Sequence, residues 1–576
     1  MSYTKFFSNL LSRQSAPARA DQLANNAGGF TFGVTPWEAL DRFLILGAEA
    51  GSYYASARTL TVQNAQNVVA CLTLDGPRTV ARIAEVSERG MAPKNEPAVF
   101  ALAMAAGAED VATRQAALVA IPRVCRIGTH LFHFVRDVES FRRWGRSLRR
   151  AIAAWYTDVP PERLALQLVK YRQRDGWSHR DVMRLAHPVA PTPEHATLFR
   201  YALGADLGVR SVKRGPASTT YAPVGALSPF VAAFEEAQRT DDLRRLCALV
   251  REHGLTHEML PTQWKRHVEV WDALLERMPM TAMIRNLGKM TEVGLLTPLS
   301  AASRTVADRL TSLVALRKAR VHPLSLLVAL KVYERGRAEK GVLSWSPDRA
   351  IVDALDAAFY LAFDAIEPTG KHILVALDVS GSMQGPEIAG MTGITPRVGS
   401  AAMAMVTART ERSWHCVGFS SGAPGEFKSR GGRSKHAGYA AGLTPIVLSP
   451  RQRLDDVIKT VEKVPMGGTD CALPMLYATA RKLDIDAFVV FTDNETWAGD
   501  VHPFQALLEY RRVMNKPRAK LVVVGMVANA FTIADPRDPG MLDVVGFSTD
   551  VPSVMASFIR GEGQAVAADA DPDADE

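Results

Sequence analysis

LVALDVSGSM, residues 374–383, carries an apolar run into Asp378, Ser380 and Ser382, and two later fragments, GGTD with Thr469 and VVFTDN with Asp493, supply further oxygen ligands. Residues 375–377 and 488–491 are short and uncharged, the pattern of parallel strands buried on both faces. Open α/β sheets build their sites just beyond the carboxyl ends of such strands. Two carboxylates and three hydroxyls, without Cys or His, suit a hard divalent cation such as Mg²⁺, which keeps water ligands and leaves a position open to a partner's carboxylate. The bland alternative makes Asp378 and Asp493 helix caps.

The surrounding sequence supports an α/β domain. Candidate strands at 372–378, 414–420, 487–492 and 520–526 alternate with helical patterns such as 400–411, which predicts a doubly wound sheet. A last strand and a closing helix are expected over 546–559. Beyond them GEGQAVAADADPDADE, residues 561–576, has six acidic residues and no basic one, and reads as a disordered acidic tail.

Upstream the texture changes. From 36 to 367 the chain reads as helix after helix, for example 64–72, 96–106, 147–155, 161–173 and 268–276. A chain of 576 residues exceeds what one core supports, so an all-α domain over 36–367 followed by an α/β domain over 368–560 is the economical division. Pro368 and Gly370 mark the boundary, breaking a helix expected over 353–363. So long a helical stretch points to a solenoid of helix pairs of the HEAT type, about 40–47 residues each, although no sequence repeat is visible. Residues 1–35 carry no readable element and are expected to be flexible.

The apolar fraction, 47%, is ordinary, and no apolar run is long enough for a membrane span. The first twenty residues lack the apolar core of a signal peptide. Five scattered cysteines fit small buried residues in a reducing cytoplasm. Charge is uneven: residues 123–214 hold 18 Lys and Arg against 8 Asp and Glu, a surplus above the +8 of the whole chain. Interleaved with His130, His133, Phe134, Trp144, Trp177, His179 and His187, this stretch has what polyanion binding needs, cations for phosphates and flat rings for unstacked bases. Solvated outer helix faces are the competing explanation. Lys170 and Arg174, four residues apart, are expected on one helix face.

The order DxSxS, Thr, Asp resembles the metal-ion-dependent adhesion site of von Willebrand factor A domains, with Asp378, Ser380, Ser382, Thr469 and Asp493 filling all five positions. RFLILGAEAGSYY, KNEPAVFALAMAA, CRIGTHLFHFV, WGRSLRRAIAAWY, KYRQRDGWSHRDVMRLAHP, MPMTAMIRNLGKM, RVHPLSLLVALKVYERG and DAAFYLAFDAIEPTGK are similar, in order, to the TROVE module of the Ro autoantigen family. The resemblance runs from about residue 43 to 558. It implies a monomeric ring of HEAT-like repeats closed by an A domain with a Rossmann-like fold. It also implies a cytoplasmic ribonucleoprotein with small noncoding Y or Y-like RNA on the outer surface of the ring. The single-stranded 3′ ends of misfolded RNAs would pass through the central hole, in RNA quality control and stress recovery, with a 3′ exoribonuclease such as polynucleotide phosphorylase as partner. The family's RNA contacts map onto Lys170, Arg172, Arg174, His179, Arg180 and His187, with Arg123, Arg126 and His130 as further candidates.

Two other classes are weighed. As an enzyme, the chain would use Asp378 as a phosphoryl-transfer nucleophile, but such sites want a second Asp two residues on, where Ser380 stands, and no triad, HExxH or paired-carboxylate arrangement is present. Catalysis is therefore not expected. As a scaffold, the chain would act through a metal-dependent A domain without RNA. The loop after the metal motif, QGPEIAGMTGITPRVG, lacks GK[ST] and is no P-loop. The acidic tail has the charge to compete with RNA for the basic stretch.

Overall fold

A computed structural model describes residues 13–47, 65–204, 227–338, 342–362, 367–385, 387–388, 393–421, 427–428, 441–464, 467–547 and 551–562. Local signals set where its helices begin. Thr35 accepts from the Glu38 amide while Glu38 returns to the Thr35 amide, and Pro36 occupies the first turn, so Pro36–Leu46 starts as a capping box with its φ preset. Asp110 caps Val111–Val124, and Thr192 caps Pro193–Ala202. Within Gln66–Arg89 the helix breaks at Asp75, which lies just before Gly76 and Pro77 and re-caps the second half by accepting from the Arg78 amide at 3.0 Å.

These helices pack as a solenoid, each on its next neighbour or the next but one: Pro36–Leu46 lies on Gln66–Arg89, which lies on Glu96–Ala106 and Val111–Val124, and so onward to Arg349–Leu361. Glu96–Ala106 is buried along nearly its whole length, as an inner helix of such an array must be. The array then closes on itself. Buried His322, which caps Pro323–Arg335, sits with Nε2 3.2 Å from the carbonyl of Met91, more than two hundred residues earlier. Pro36–Leu46 also rests against the C-terminal domain, where Arg42, almost fully buried, forks onto Asp543 at 2.7 and 2.9 Å. The result is a ring of HEAT-like helices closed by the C-terminal domain.

That domain is built on a sheet whose strands, with two N-terminal hairpins, are numbered along the chain: β1 (Gln22–Ala24), β2 (Phe30–Gly33), β3 (Gln173–Arg174), β4 (Trp177–Ser178), β5 (His372–Asp378), β6 (Ser413–Ser421), β7 (Phe427–Lys428), β8 (Ala441–Pro445), β9 (Ala487–Thr492), β10 (Lys520–Gly525), β11 (Phe531–Thr532) and β12 (Met541–Val545). Seven of them form one sheet in the order β12-β10-β9-β5-β6-β8-β7, parallel from β12 to β6, with an antiparallel edge at β8 and β7. Alternate residues of β5 serve two cores. Ile373, Val375 and Leu377 face the core shared with the helical ring, and Leu374 and Ala376 face the second, beneath Leu473–Arg481 and Pro503–Val513. Helices thus cover both faces, as expected of a doubly wound sheet, and the A domain is fused to the ring through one continuous core.

Three expectations are corrected. Residues 13–35, expected to be flexible, lie folded on the A domain: β1 and β2 pair with each other and β2 pairs with β11. Lys170 and Arg174 do not share a helix face, because Pro161–Lys170 stops at Lys170 and Arg174 belongs to the β3–β4 hairpin, whose turn places Asp175 and Gly176 at positive φ. The last strand is Met541–Val545 rather than one beginning near 546, and the closing helix is Val551–Arg560. Of the acidic tail only residues 561 and 562 are among the described residues. No helix there is long and apolar enough to cross a membrane.

Candidate metal centre and basic surface

β5 and β9 are parallel neighbours, so Asp378 and Asp493 leave the sheet side by side at its carboxyl edge. Asp378 accepts from the Ser380 amide at 3.0 Å and from the Thr492 hydroxyl at 2.7 Å. The hydroxyls of Ser380 and Ser382 stand 2.9 Å apart, and Asp493 accepts from the Glu495 amide at 3.1 Å. The amides of Trp497 and Ala498 both donate to the Thr469 carbonyl, at 3.1 and 3.0 Å, which zips the Thr469 loop onto the loop after β9. All five expected ligands are buried together.

Among the described residues, two oxygens of these five side chains have no hydrogen-bond partner, Thr469 Oγ1 and Asp493 Oδ2. A buried polar atom left unmade costs about 1–3 kcal/mol, and both belong to residues that the spacing marks as ligands. Burial, and then the neighbouring Asp493 charge, push the Asp378 carboxyl up to about 7; burial also raises Asp493. A buried pair of carboxylates with spare oxygens is a fitting place for a cation. Among the described residues no three His, Cys, Asp or Glu side chains cluster, so a zinc-type site is not offered; two carboxylates with three hydroxyls match an ion that keeps waters.

The shift gives a test. Between about pH 4 and pH 7 unfolded chains have released the proton that folded, metal-free Asp378 still holds, so ionising it costs stability as pH rises through that window. A cation that needs the ionised form competes with the proton below about pH 7. The rise in Tm produced by Mg²⁺ is therefore expected to be small near pH 5.5, to grow toward pH 7.5 and then to level. A rise independent of pH would remove Asp378 from the site.

The basic residues separate into two groups. Arg172, Arg174, Arg180 and His187 are exposed on and around the β3–β4 hairpin and the helix His179–Ala186 that follows it. Arg174 is 62% exposed and only 3.5 Å from Asp175, and His187 ends its helix in the left-handed conformation. Lys170 is nearby but largely covered and lies 3.7 Å from Glu258. The second group is structural. His179 is buried between the Tyr156 hydroxyl at 3.0 Å and the Gln167 carbonyl at 3.2 Å, and burial holds it down at about 4, so it is a neutral core histidine that does not reach a phosphate. His130 is likewise lowered to about 4 by burial and stands 3.2 Å from Asn95. Arg126 donates to the Ser87 carbonyl and hydroxyl at 2.5 and 2.7 Å, tying two helices together, and Arg123 forks onto Glu88.

Reading by residue type passed over a better cluster. Arg143, Arg146, Arg149 and Arg150 are all exposed at or just before the start of Arg146–Thr157, and none forms an ion pair among the described residues, whereas Arg82, Arg245 and Arg251 on other helices are each paired with carboxylates. Cations at a helix N-terminus oppose its dipole, and Gly145 offers no side-chain cap. The signal was present in WGRSLRRAIAAWY as three arginines in the first turns with no acid among them.

The family model described as the Ro60 vWA domain matches residues 372–559, and the TROVE domain model matches residues 23–208 and 250–332. A Deinococcus radiodurans protein named RNA-binding protein RO60 is 39% identical over 94% of this chain and 96% of its own. This chain belongs to the Ro60 family. A Caenorhabditis elegans protein of the same name is 35% identical over 96% of this chain and 92% of its own. The crystal structure of the Deinococcus radiodurans RO (RSR) protein superposes with a TM-score of 0.66 at 37% identity, covering 92% of this chain and all of that one. The Ro60-family ring and A domain are thus shared at levels that fix the fold.

Proposed function

We propose that this Ro60-family protein binds RNA through the exposed cations of its helical ring. The observation that carries the reading is the set of arginines at 143, 146, 149 and 150, which face solvent with no carboxylate partner among the described residues, together with the exposed Arg172, Arg174, Arg180 and His187. Unpaired guanidinium groups on rigid helices neutralise phosphates and release counterions, and do so without reading bases. A structured small noncoding RNA of the Y or Y-like kind is the partner for this outer surface, and its relatives are named for RNA binding.

The second element of the reading is a single strand. Misfolded RNAs would present a free 3′ end to the centre of the ring, which a threaded strand enters and an A-form helix does not. A 3′ exoribonuclease such as polynucleotide phosphorylase would then act beside it in RNA quality control under stress, in the cytoplasm, with this chain binding rather than cleaving. The A domain would hold Mg²⁺ on Asp378, Ser380, Ser382, Thr469 and Asp493 and offer it to an acidic group of a partner. When bound, the ion would supply a fixed positive charge; the two carboxylates and three hydroxyls would hold it and leave the remaining positions to water or the partner's acidic group.

Binding of one hairpin RNA with and without a single-stranded 3′ extension tests the threading. The extended RNA is expected to bind at least tenfold more tightly than the blunt one. Equal affinities would leave surface binding alone.

A further inference from the structure

The N-terminal segment reaches the metal loops from outside the A domain's own sequence. Gln14, fully buried, donates through Nε2 to Asp470 Oδ1 at 2.8 Å and to the Val501 carbonyl at 2.7 Å, and its Oε1 accepts from the Thr496 hydroxyl. Asp470 follows the ligand Thr469, and Thr496 lies three residues after the ligand Asp493 and also accepts from the Cys471 amide at 3.1 Å. One glutamine therefore pins both loops that carry the partnerless oxygens. Farther along, Asn25 donates to the Thr496 carbonyl at 2.8 Å, Asn26 donates to Glu495 Oε1 at 2.8 Å, and the Ala27 amide donates to Glu495 Oε2 at 3.1 Å. The approach is close enough to need glycine on both sides. A Cβ at Gly29 would stand 1.8 Å from the Thr496 carbonyl oxygen, and one at Gly499 would stand 2.4 Å from Gln14 Nε2.

A second path comes from the ring. Arg42 donates to Asn529 Oδ1 at 2.7 Å, and Asn529 in turn donates to the main-chain carbonyl of Asp493. The loop after β9 is thus held from two sides by parts of the chain that precede that loop by more than four hundred residues. Polar side chains such as Gln14 and Asn25 are buried here only because the metal loops offer matching groups.

From this juxtaposition we infer that residues 14–29 are a positioning strap for the metal centre, so that seating of the strap and occupancy of the cation site are coupled. The inference rests on the metal reading above and adds the element that sets its geometry. With the strap seated, the loops carrying Thr469 and Asp493 are held against each other before the ion arrives; with it released, they must be ordered at the expense of binding. Coupling of this kind is reciprocal: the ion favours the seated strap as much as the strap favours the ion.

The test uses the full chain and Mg²⁺ alone. Calorimetric titration is expected to give Gln14→Ala an affinity at least tenfold below wild type, and Asn26→Ala, an exposed and mild change, an affinity a few-fold below it. Both variants are checked for intact fold by circular dichroism and unchanged RNA affinity. In wild type, saturating Mg²⁺ is expected to slow amide exchange over residues 14–30. Wild-type binding that Asn26→Ala and a folded Gln14→Ala both retain in full, or strap exchange indifferent to Mg²⁺, overturns the coupling alone. Absence of any Mg²⁺ binding to wild type overturns the metal reading and the coupling with it.

Discussion

Asp378→Asn is expected to abolish measurable Mg²⁺ binding while leaving the affinity for a structured small RNA within twofold of wild type. The substitution keeps the shape of the side chain and the Oδ1 acceptor for the Ser380 amide, and its NH2 can donate to the Thr492 hydroxyl oxygen in place of accepting from it, so the end of β5 stays folded. What it removes is one of only two carboxylates in the site, and an ion that gathers few protein ligands depends heavily on each. The RNA surface is insulated from the loss. The exposed arginines lie on the ring between residues 143 and 184, in or beside helices and the β3–β4 hairpin, whereas Asp378 is buried at the edge of the A-domain sheet. Calorimetry of both proteins checks the first half, and RNA binding with and without EDTA checks the second. Wild-type Mg²⁺ affinity in the variant would sink the ligand assignment; RNA affinity lost in EDTA with the fold intact would sink the independence of the two sites.

Replacing Arg146, Arg149 and Arg150 together by alanine is expected to weaken RNA binding on the order of 10- to 100-fold near physiological salt, and to lower the slope of log affinity against log salt by about 2 to 3, since each lost phosphate contact removes about 0.7–0.9. Stability is the discriminating control. Like charges at the start of a helix oppose its dipole, so the triple variant should unfold at the same temperature as wild type or slightly above it. Residues that stabilised the fold would show the opposite. An unchanged salt slope in filter binding would take this face out of the RNA surface. The paired Arg123 is the natural comparison, because its guanidinium is already occupied by Glu88 and its loss should move the slope little.

Much of this was legible along the chain because it is local. A buried apolar run must be a strand, and polar residues crowded at its end must sit at a sheet edge, so LVALDVSGSM announced both the α/β domain and its site; β5 and β9 begin and end where the run of apolar residues does. Helix starts were equally readable wherever Ser, Thr or Asp preceded a proline or an apolar stripe. Grouping Lys170 with Arg174 failed for a local reason of another kind: Asp175 and Gly176 make a turn, and the hairpin it closes removes Arg174 from the helix.

Other decisions belong to the tertiary structure. Sequence alone determined that this chain has a helical region, a doubly wound domain, five oxygen ligands at strand ends and a basic stretch, since each follows from periodicity or from neighbours a few residues apart. Only packing decided which cations are available: His179 and Arg123 look as exposed as Arg149 in the sequence, but burial against Tyr156 claims the first and Glu88 claims the second. Only packing, too, turned residues 13–35 from a featureless polar leader into a strap, because Gln14 and Asn25 find their hydrogen-bond partners nearly five hundred residues away. A polar residue carries no mark of whether water or a distant backbone will satisfy it; that choice is made when the ring closes on the A domain.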